Sequence, residues 1–265
     1  MRTRKAKIGI CFVVSIMAAG LLGTAMAQVY TDPVGFVKVD AVRNGLTMIS
    51  VPLTAADNAL YGAEGCVGDQ IKENLTGGAG AAFADVIWKW DLGTQSYVTA
   101  FLIADWGAPY DGNWWDEGAG DYSTLTFDAG EACWIMRRDN DPELATITFL
   151  GWVPMGETTT LTLVKGLSMF NWPYPTTLAL NDSTLGAAGT GGAGAAFADV
   201  VWQWEAATQG YTTAFLIDTW GVPYDGQWWD EATGDYSTIQ FAPGAGFWYM
   251  RRPDASAVWV CTRPY

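Results

Sequence analysis

The chain has 265 residues, enough for one large or two ordinary domains, each with its own core. It carries 14 basic and 28 acidic residues, a formal charge of −14, which argues against nucleic acid as a partner because phosphate binding needs a basic face. It has no histidine, which removes the imidazole-dependent triads and most zinc sites, and it has 15 tryptophans.

Arg2, Arg4, Lys5 and Lys7 form a positive start, followed by an apolar run from Ile8 to Leu22 and small residues at Ala25-Met26-Ala27. This pattern predicts a secretory signal peptide over residues 1–27, cut before Gln28. Cleavage removes four basic residues and no acid, taking the charge from −14 to −18. Export implies an oxidising compartment or the cell exterior. Cys66, Cys133 and Cys261 then allow one disulfide and one remaining thiol, with the pairing open. No C-x-x-C spacing points to a metal knuckle.

Strands are expected at Val34–Val39 and Leu46–Val51, and a short helix or loop at Gly77–Ala84, whose glycines disfavour a long helix. Asp85–Asp91 places Val86, Trp88 and Trp90 on one side of a strand, and Ile87 and Lys89 on the other. A turn-like segment then leads to a partner strand over Tyr97–Ile103. Further strands are expected at Glu131–Arg137, Ala145–Leu150 and Thr158–Val164. The hairpin returns with Val200, Trp202 and Trp204 and then Tyr211–Ile217, before strands at Phe247–Arg251 and Ala257–Cys261.

That return is part of a tandem repeat. Gly77–Arg138 aligns without a gap on Gly191–Arg252 at an offset of 114, with 41 of 62 positions identical. "GLTMISVPL" at Gly45 aligns with "GLSMFNWPY" at Gly166 at an offset of 121, so the first copy holds seven extra residues between the blocks. The expected organisation is a signal peptide (1–27) and two homologous domains, 28–144 and 145–265. The expected fold is all-β, each domain a sandwich or barrel. Trp88, Trp90, Trp202 and Trp204 share a face with Val86 or Val200 and are expected to pack in the cores.

Two phrases occur together: "VYTDPVGFVKVDAVRNGLTMISVPL" near the start, and the closing "GEACWIMRR" and "GAGFWYMRR". They resemble the uncharacterised secreted β-rich proteins of Verrucomicrobia-type bacteria, over nearly the whole mature chain. Cys133 departs from the aromatic residue of that pattern, which Phe247 supplies in the second copy. The resemblance implies export and a β-rich fold. It carries no activity.

The acidic-aromatic loop is the candidate site. It holds Trp114, Trp115, Asp116 and Glu117 in the first copy, and Trp228, Trp229, Asp230 and Glu231 in the second. Carboxylates beside tryptophan suit a sugar, whose C–H faces cover rings while its hydroxyls donate to oxygen. Clustered acids also suit Ca²⁺, with Asp111, Asn113, Asp116 and Asp121, and Asp225, Asp230 and Asp235, as oxygen ligands, although the spacing is not that of an EF-hand. A third reading is glycoside hydrolysis by paired carboxylates. Against all three stands a solvated turn whose acids cap it or pair with Arg137, Arg138, Arg251 and Arg252. Neighbouring residues on a strand point to opposite faces, so one tryptophan of each WW pair is expected outside the core.

The function expected from these features is a secreted structural or interaction protein of the cell surface or an extracellular assembly, and not an enzyme. It would self-associate or bind other surface proteins, through aromatic faces and through strand addition near Val34 and Val258. No cofactor is expected beyond the Ca²⁺ alternative. The second reading is a tandem carbohydrate-binding protein that contacts extracellular polysaccharide.

Overall fold

The computed structural model describes residues 32–138 and 143–265. The expected signal peptide over residues 1–27 lies outside the described residues. No helix among the described residues is long and apolar enough to cross a membrane.

The protein is all-β, and both copies fall within one compact unit, Pro33–Tyr265. The first repeat runs β1 (Val34–Val42), β2 (Gly45–Ser50), α1 (Val67–Lys72), β3 (Val86–Asp91), β4 (Ser96–Leu102), β5 (Trp114–Asp116), β6 (Asp121–Tyr122), β7 (Ala132–Arg137) and β8 (Leu144–Trp152). The second runs β9 (Thr158–Leu163), β10 (Gly166–Phe170), β11 (Leu178–Ala179), α2 (Leu185–Ala188), β12 (Val200–Glu205), β13 (Gly210–Leu216), β14 (Trp228–Asp230), β15 (Asp235–Tyr236), β16 (Gln240–Phe241), β17 (Phe247–Arg251) and β18 (Ala257–Thr262).

Each repeat is a sandwich of a wide sheet and a narrow one. The wide antiparallel sheets have the orders β2-β7-β3-β4-β5-β6 and β10-β17-β12-β13-β14-β15. The narrow layers are the ribbons β1-β8 and β9-β18. Because β8 pairs with β1 along its whole length, the strand that begins at Leu144 belongs to the first repeat, and the junction between repeats falls after Trp152. The helix α1 lies in the segment where the first copy is longer. Its buried face is Val67, Gly68 and Ile71. The Gly77–Ala84 stretch forms turns, not a helix.

Side-chain alternation sends Ile49, Ile87, Ala100, Ile135 and Trp114 toward the ribbon, where Ala41, Ile147 and Phe149 complete the first core. The second core has Phe170, Val201, Ala214, Trp228, Tyr249 and Trp259. The three described cysteines, Cys66, Cys133 and Cys261, are buried and free, so the disulfide that their number allows is not formed among them.

The opposite faces of the wide sheets meet each other, which corrects the expectation for Trp88, Trp90, Trp202 and Trp204. These residues are not in the repeat cores. They pack with Met48, Trp134, Met169 and Trp248 in a third cluster between repeats. The contacts are reciprocal. Trp90 meets Trp248 edge-on with centroids 5.2 Å apart, and Trp204 meets Trp134 at 5.1 Å. Ser50 donates its N–H to Gly244 O at 2.9 Å, and Asn171 to Gly130 O at 2.8 Å. Each contact is the other's image at offsets of 114 and 121, so the repeats are related by a pseudo-two-fold axis and share an isologous interface.

Candidate functional site

Strand alternation divides each WW pair. Trp114 and Trp228 are each 1% exposed and belong to the cores, so they are unavailable to a ligand. Trp114 donates its indole N–H to Gly68 O of α1 at 3.1 Å, while Trp228 Nε1 has no hydrogen-bond partner among the described residues. Trp115 and Trp229 point to the other face and are half-buried. There they join further aromatic rings outside the sequence-derived site candidates.

In the first repeat those rings are Trp106, Tyr110 and Tyr122. Trp115 lies 5.1 Å from Trp106, 6.1 Å from Tyr110 and 5.6 Å from Tyr122, all edge-on, and Tyr110 stacks on Tyr122 at 6.0 Å. The second repeat copies this with Trp220, Tyr224, Trp229 and Tyr236. Its Trp220–Trp229 and Trp229–Tyr236 distances are 5.3 and 5.5 Å, and Tyr224 stacks on Tyr236 at 6.0 Å. Such offset and edge-on pairs are the favoured ring geometries. Tyr61, in the first repeat's extra stretch, stacks on Tyr122 at 4.2 Å and has no equivalent in the second platform.

The loop between β4 and β5 fixes these rings. Asp111 Oδ1 accepts the N–H groups of Trp106 and Gly107 at 2.9 and 3.1 Å. Gly107 has φ +81°, a left-handed conformation that side chains disfavour. Trp106 Nε1 donates to Ala79 O at 3.0 Å, across to the turn before β3. Asp225 holds Trp220 and Gly221 in the same way, at 2.8 and 3.0 Å. Trp106 is 40% exposed and Trp220 42%, so each platform is rigidly held yet open to solvent.

The acidic residues are occupied in local turns. Asp116 Oδ1 accepts from the Gly118 and Ala119 N–H groups, and Asp230 Oδ1 from Ala232 and Thr233. Asp121 and Asp235 each accept the following residue's N–H. Asn113 donates to Pro109 O at 2.8 Å, and Glu117 and Glu231 sit exposed just beyond β5 and β14. Among the described residues no group of three or more acids or cysteines is placed to hold a metal ion.

The basic pairs are consumed internally, by partners other than these loop acids. Asp199 is fully buried and accepts from Tyr249 Oη at 2.6 Å, Thr190 N at 2.8 Å, Arg252 N at 2.7 Å and Arg251 Nη1 at 3.3 Å. Burial, reinforced by this carboxylate, pushes the Tyr249 phenol up from its ordinary value. Asp85 is the equivalent in the first repeat. It accepts from Thr76 N and Arg138 N at 2.9 and 2.8 Å, with Arg137 Nε 4.0 Å away. Neither aspartate is among the sequence-derived site candidates. Their signal was an acid placed between an apolar run and a strand, "FADV", in each copy. Burial also raises the Cys133 thiol to about 12, so it is not a thiolate nucleophile at neutral pH.

No protein-family model matches the sequence, and no curated protein or solved structure is detectably similar to it.

Proposed function

We propose that the chain is a non-catalytic interaction protein of the cell exterior that engages its partner through two equivalent aromatic platforms. The observation that supports this reading is the outward cluster of four rings in each repeat, with Trp106 and Trp220 about two-fifths exposed. Contiguous exposed aromatic area of this kind usually marks a contact surface. Fixed rings also lose little conformational entropy on binding. Two platforms carried on one body add avidity toward a repetitive partner. The predicted signal peptide directs the chain out of the cell. The favoured partner is a second copy of the chain. A second reading, extracellular polysaccharide, is favoured by the tryptophan faces beside Asp111 and Asp225, because sugars pair C–H surface with rings.

The test compares the protein with a Trp106→Ala plus Trp220→Ala variant. Sedimentation across a concentration series should show association in the first and its loss in the second. Retention on immobilised polysaccharides, lost in the same variant, would instead select the second reading. A protein that stays monomeric and binds no polysaccharide overturns both.

A further inference from the structure

The two ribbons differ at their edges. In β1-β8, Arg43 N donates to Glu143 O and Val153 N to Pro33 O, so odd-numbered residues bond across the ribbon and even-numbered ones face outward. Along β8 outward groups of Thr146, Leu150 and Trp152 are covered. Gln70 bonds both the N–H and C=O of Leu150, Asn74 donates to Thr146 O, and Thr54 bridges Trp152. Beside β1 lies the Gly244 turn of the second repeat, packed so closely that a Cβ there would collide with Val37 and Val39.

The edge of β9 has no such cover. Arg263 N donates to Glu157 O, which turns the backbone groups of Thr158, Thr160 and Thr162 away from β18. None of them has a partner among the described residues. The equivalent turn of the first repeat, at Gly130, packs instead on Asn171 and Pro173. A cleft of about 520 Å³ remains along this edge. It is lined by Thr159–Thr162, by Ser168–Phe170 and, from the first repeat, by residues that include Leu92 and Asp128–Glu131.

Ser168 gives independent evidence. It is 3% exposed, it lines the cleft, and its Oγ has no hydrogen-bond partner among the described residues. Its counterpart Thr47 accepts the outward N–H of Val42, five residues earlier, at 3.1 Å. In the second repeat the last outward residue is Thr162, six residues before Ser168, so this bond is not made. A buried hydroxyl without a partner is costly and calls for a group from outside.

We infer that this cleft binds an extended peptide segment of another protein, added as a strand to the edge of β9 and carrying a basic residue. Outward N–H and C=O groups at every second residue match a polypeptide backbone. The cleft volume suits roughly four extended residues, about 13 Å of strand. Asp128 and Glu131 line it and no cationic residue does; Glu131 is already paired with Lys89 at 2.8 Å, so Asp128, which among the described residues accepts only from the neutral Asn58 amide, supplies the uncompensated charge. With 28 acids against 14 bases in the chain, electrostatic complementarity selects a basic segment. This site is separate from the aromatic platforms and does not depend on their role.

The probes are three capped hexapeptides: one alternating valine and lysine, one with glutamate replacing lysine, and one with lysine kept but its strand-bonding amides N-methylated. Amide hydrogen exchange on residues 28–265 is the readout. The lysine peptide should slow exchange at Thr160 and Thr162. The glutamate peptide should bind at least tenfold more weakly, and the methylated one should give no protection. Thr160→Pro should abolish binding. Ser168→Ala should weaken binding several-fold while raising the melting temperature of the free protein, because an unpartnered hydroxyl is removed. Should Thr160→Pro fail to fold, the methylated peptide tests the same bonds from the ligand side. Unchanged exchange at Thr160 and Thr162, or equal protection by the methylated peptide, overturns the inference. Protection that rises with protein concentration in the absence of peptide also overturns it, and assigns the edge to a second copy.

Discussion

The indole N–H of Trp90 donates to the carbonyl oxygen of Leu167 at 2.9 Å, from the first repeat into the second. Trp204 returns the same bond to Leu46, also at 2.9 Å. Gln95 and Gln209 bracket the same two leucines, each donating to the carbonyl and accepting the N–H. The repeats are therefore joined by a two-fold set of hydrogen bonds around a tryptophan cluster, and an interface so built uses one surface twice.

Trp90→Phe keeps most of the ring contact and loses the hydrogen bond. It should lower unfolding stability by about 1 kcal/mol, and Trp204→Phe by a similar amount. Trp134→Ala removes a ring that is 4% exposed and should cost about 3–5 kcal/mol. Urea denaturation checks all three. Unchanged midpoints in the two phenylalanine variants would show that the reciprocal bonds contribute nothing.

Asp199 holds Arg251, Tyr249 and two backbone N–H groups in the second core. Asp199→Ala leaves the arginine buried without its counter-charge and should destabilise by about 3–5 kcal/mol. Tyr249→Phe removes one bond to a charged acceptor, about 1.5–3 kcal/mol. Chemical denaturation of both variants, with Arg252→Ala as a comparison that keeps the carboxylate occupied, measures the network.

Neighbouring tryptophans should respond unequally. Trp114→Ala empties a core site and should cost about 3–5 kcal/mol, whereas Trp115→Ala, half-buried on the outer face, should cost about 1–2 kcal/mol. The repeats should also differ. Trp114→Phe gives up its bond to Gly68 O, but Trp228→Phe gives up none, so the first should be the more harmful by about 1 kcal/mol. Equal losses in that last pair would contradict the assigned hydrogen bonding.

The three thiols should be unreactive while the protein is folded. Burial raises the Cys133 thiol to about 12 and also raises that of Cys261, and Cys66 is likewise buried. At pH 8 iodoacetamide should label residues 28–265 slowly without denaturant, and should label all three cysteines in guanidinium. Fewer than three labels after unfolding without reductant would reveal a disulfide.

Much of this architecture is legible in the sequence. The repeat offset paired the strands of one copy with those of the other. Period-two alternation located β3 and β12 and divided the WW pairs between faces. The helix α1 was missed because six residues are too few for a periodic signal. The platform residues Trp106, Tyr110 and Tyr122 were missed because two reach the surface from a loop and one from a strand, and no local pattern records that convergence. The acids beside Trp115 looked like ligands because composition cannot distinguish a carboxylate aimed outward from one that accepts its own turn's N–H groups, as Asp116 does.

By itself the sequence determined the all-β class, the duplication and the strand faces, because each follows from local alternation or direct self-comparison. Only the tertiary structure decided which face of each wide sheet is the core. Alternation shows that Val86, Trp88 and Trp90 lie together, but it is symmetric with respect to inside and outside. The covering layer breaks that symmetry: the ribbons β1-β8 and β9-β18 lie over the isoleucine and alanine faces, and the tryptophan faces are left to each other and to solvent.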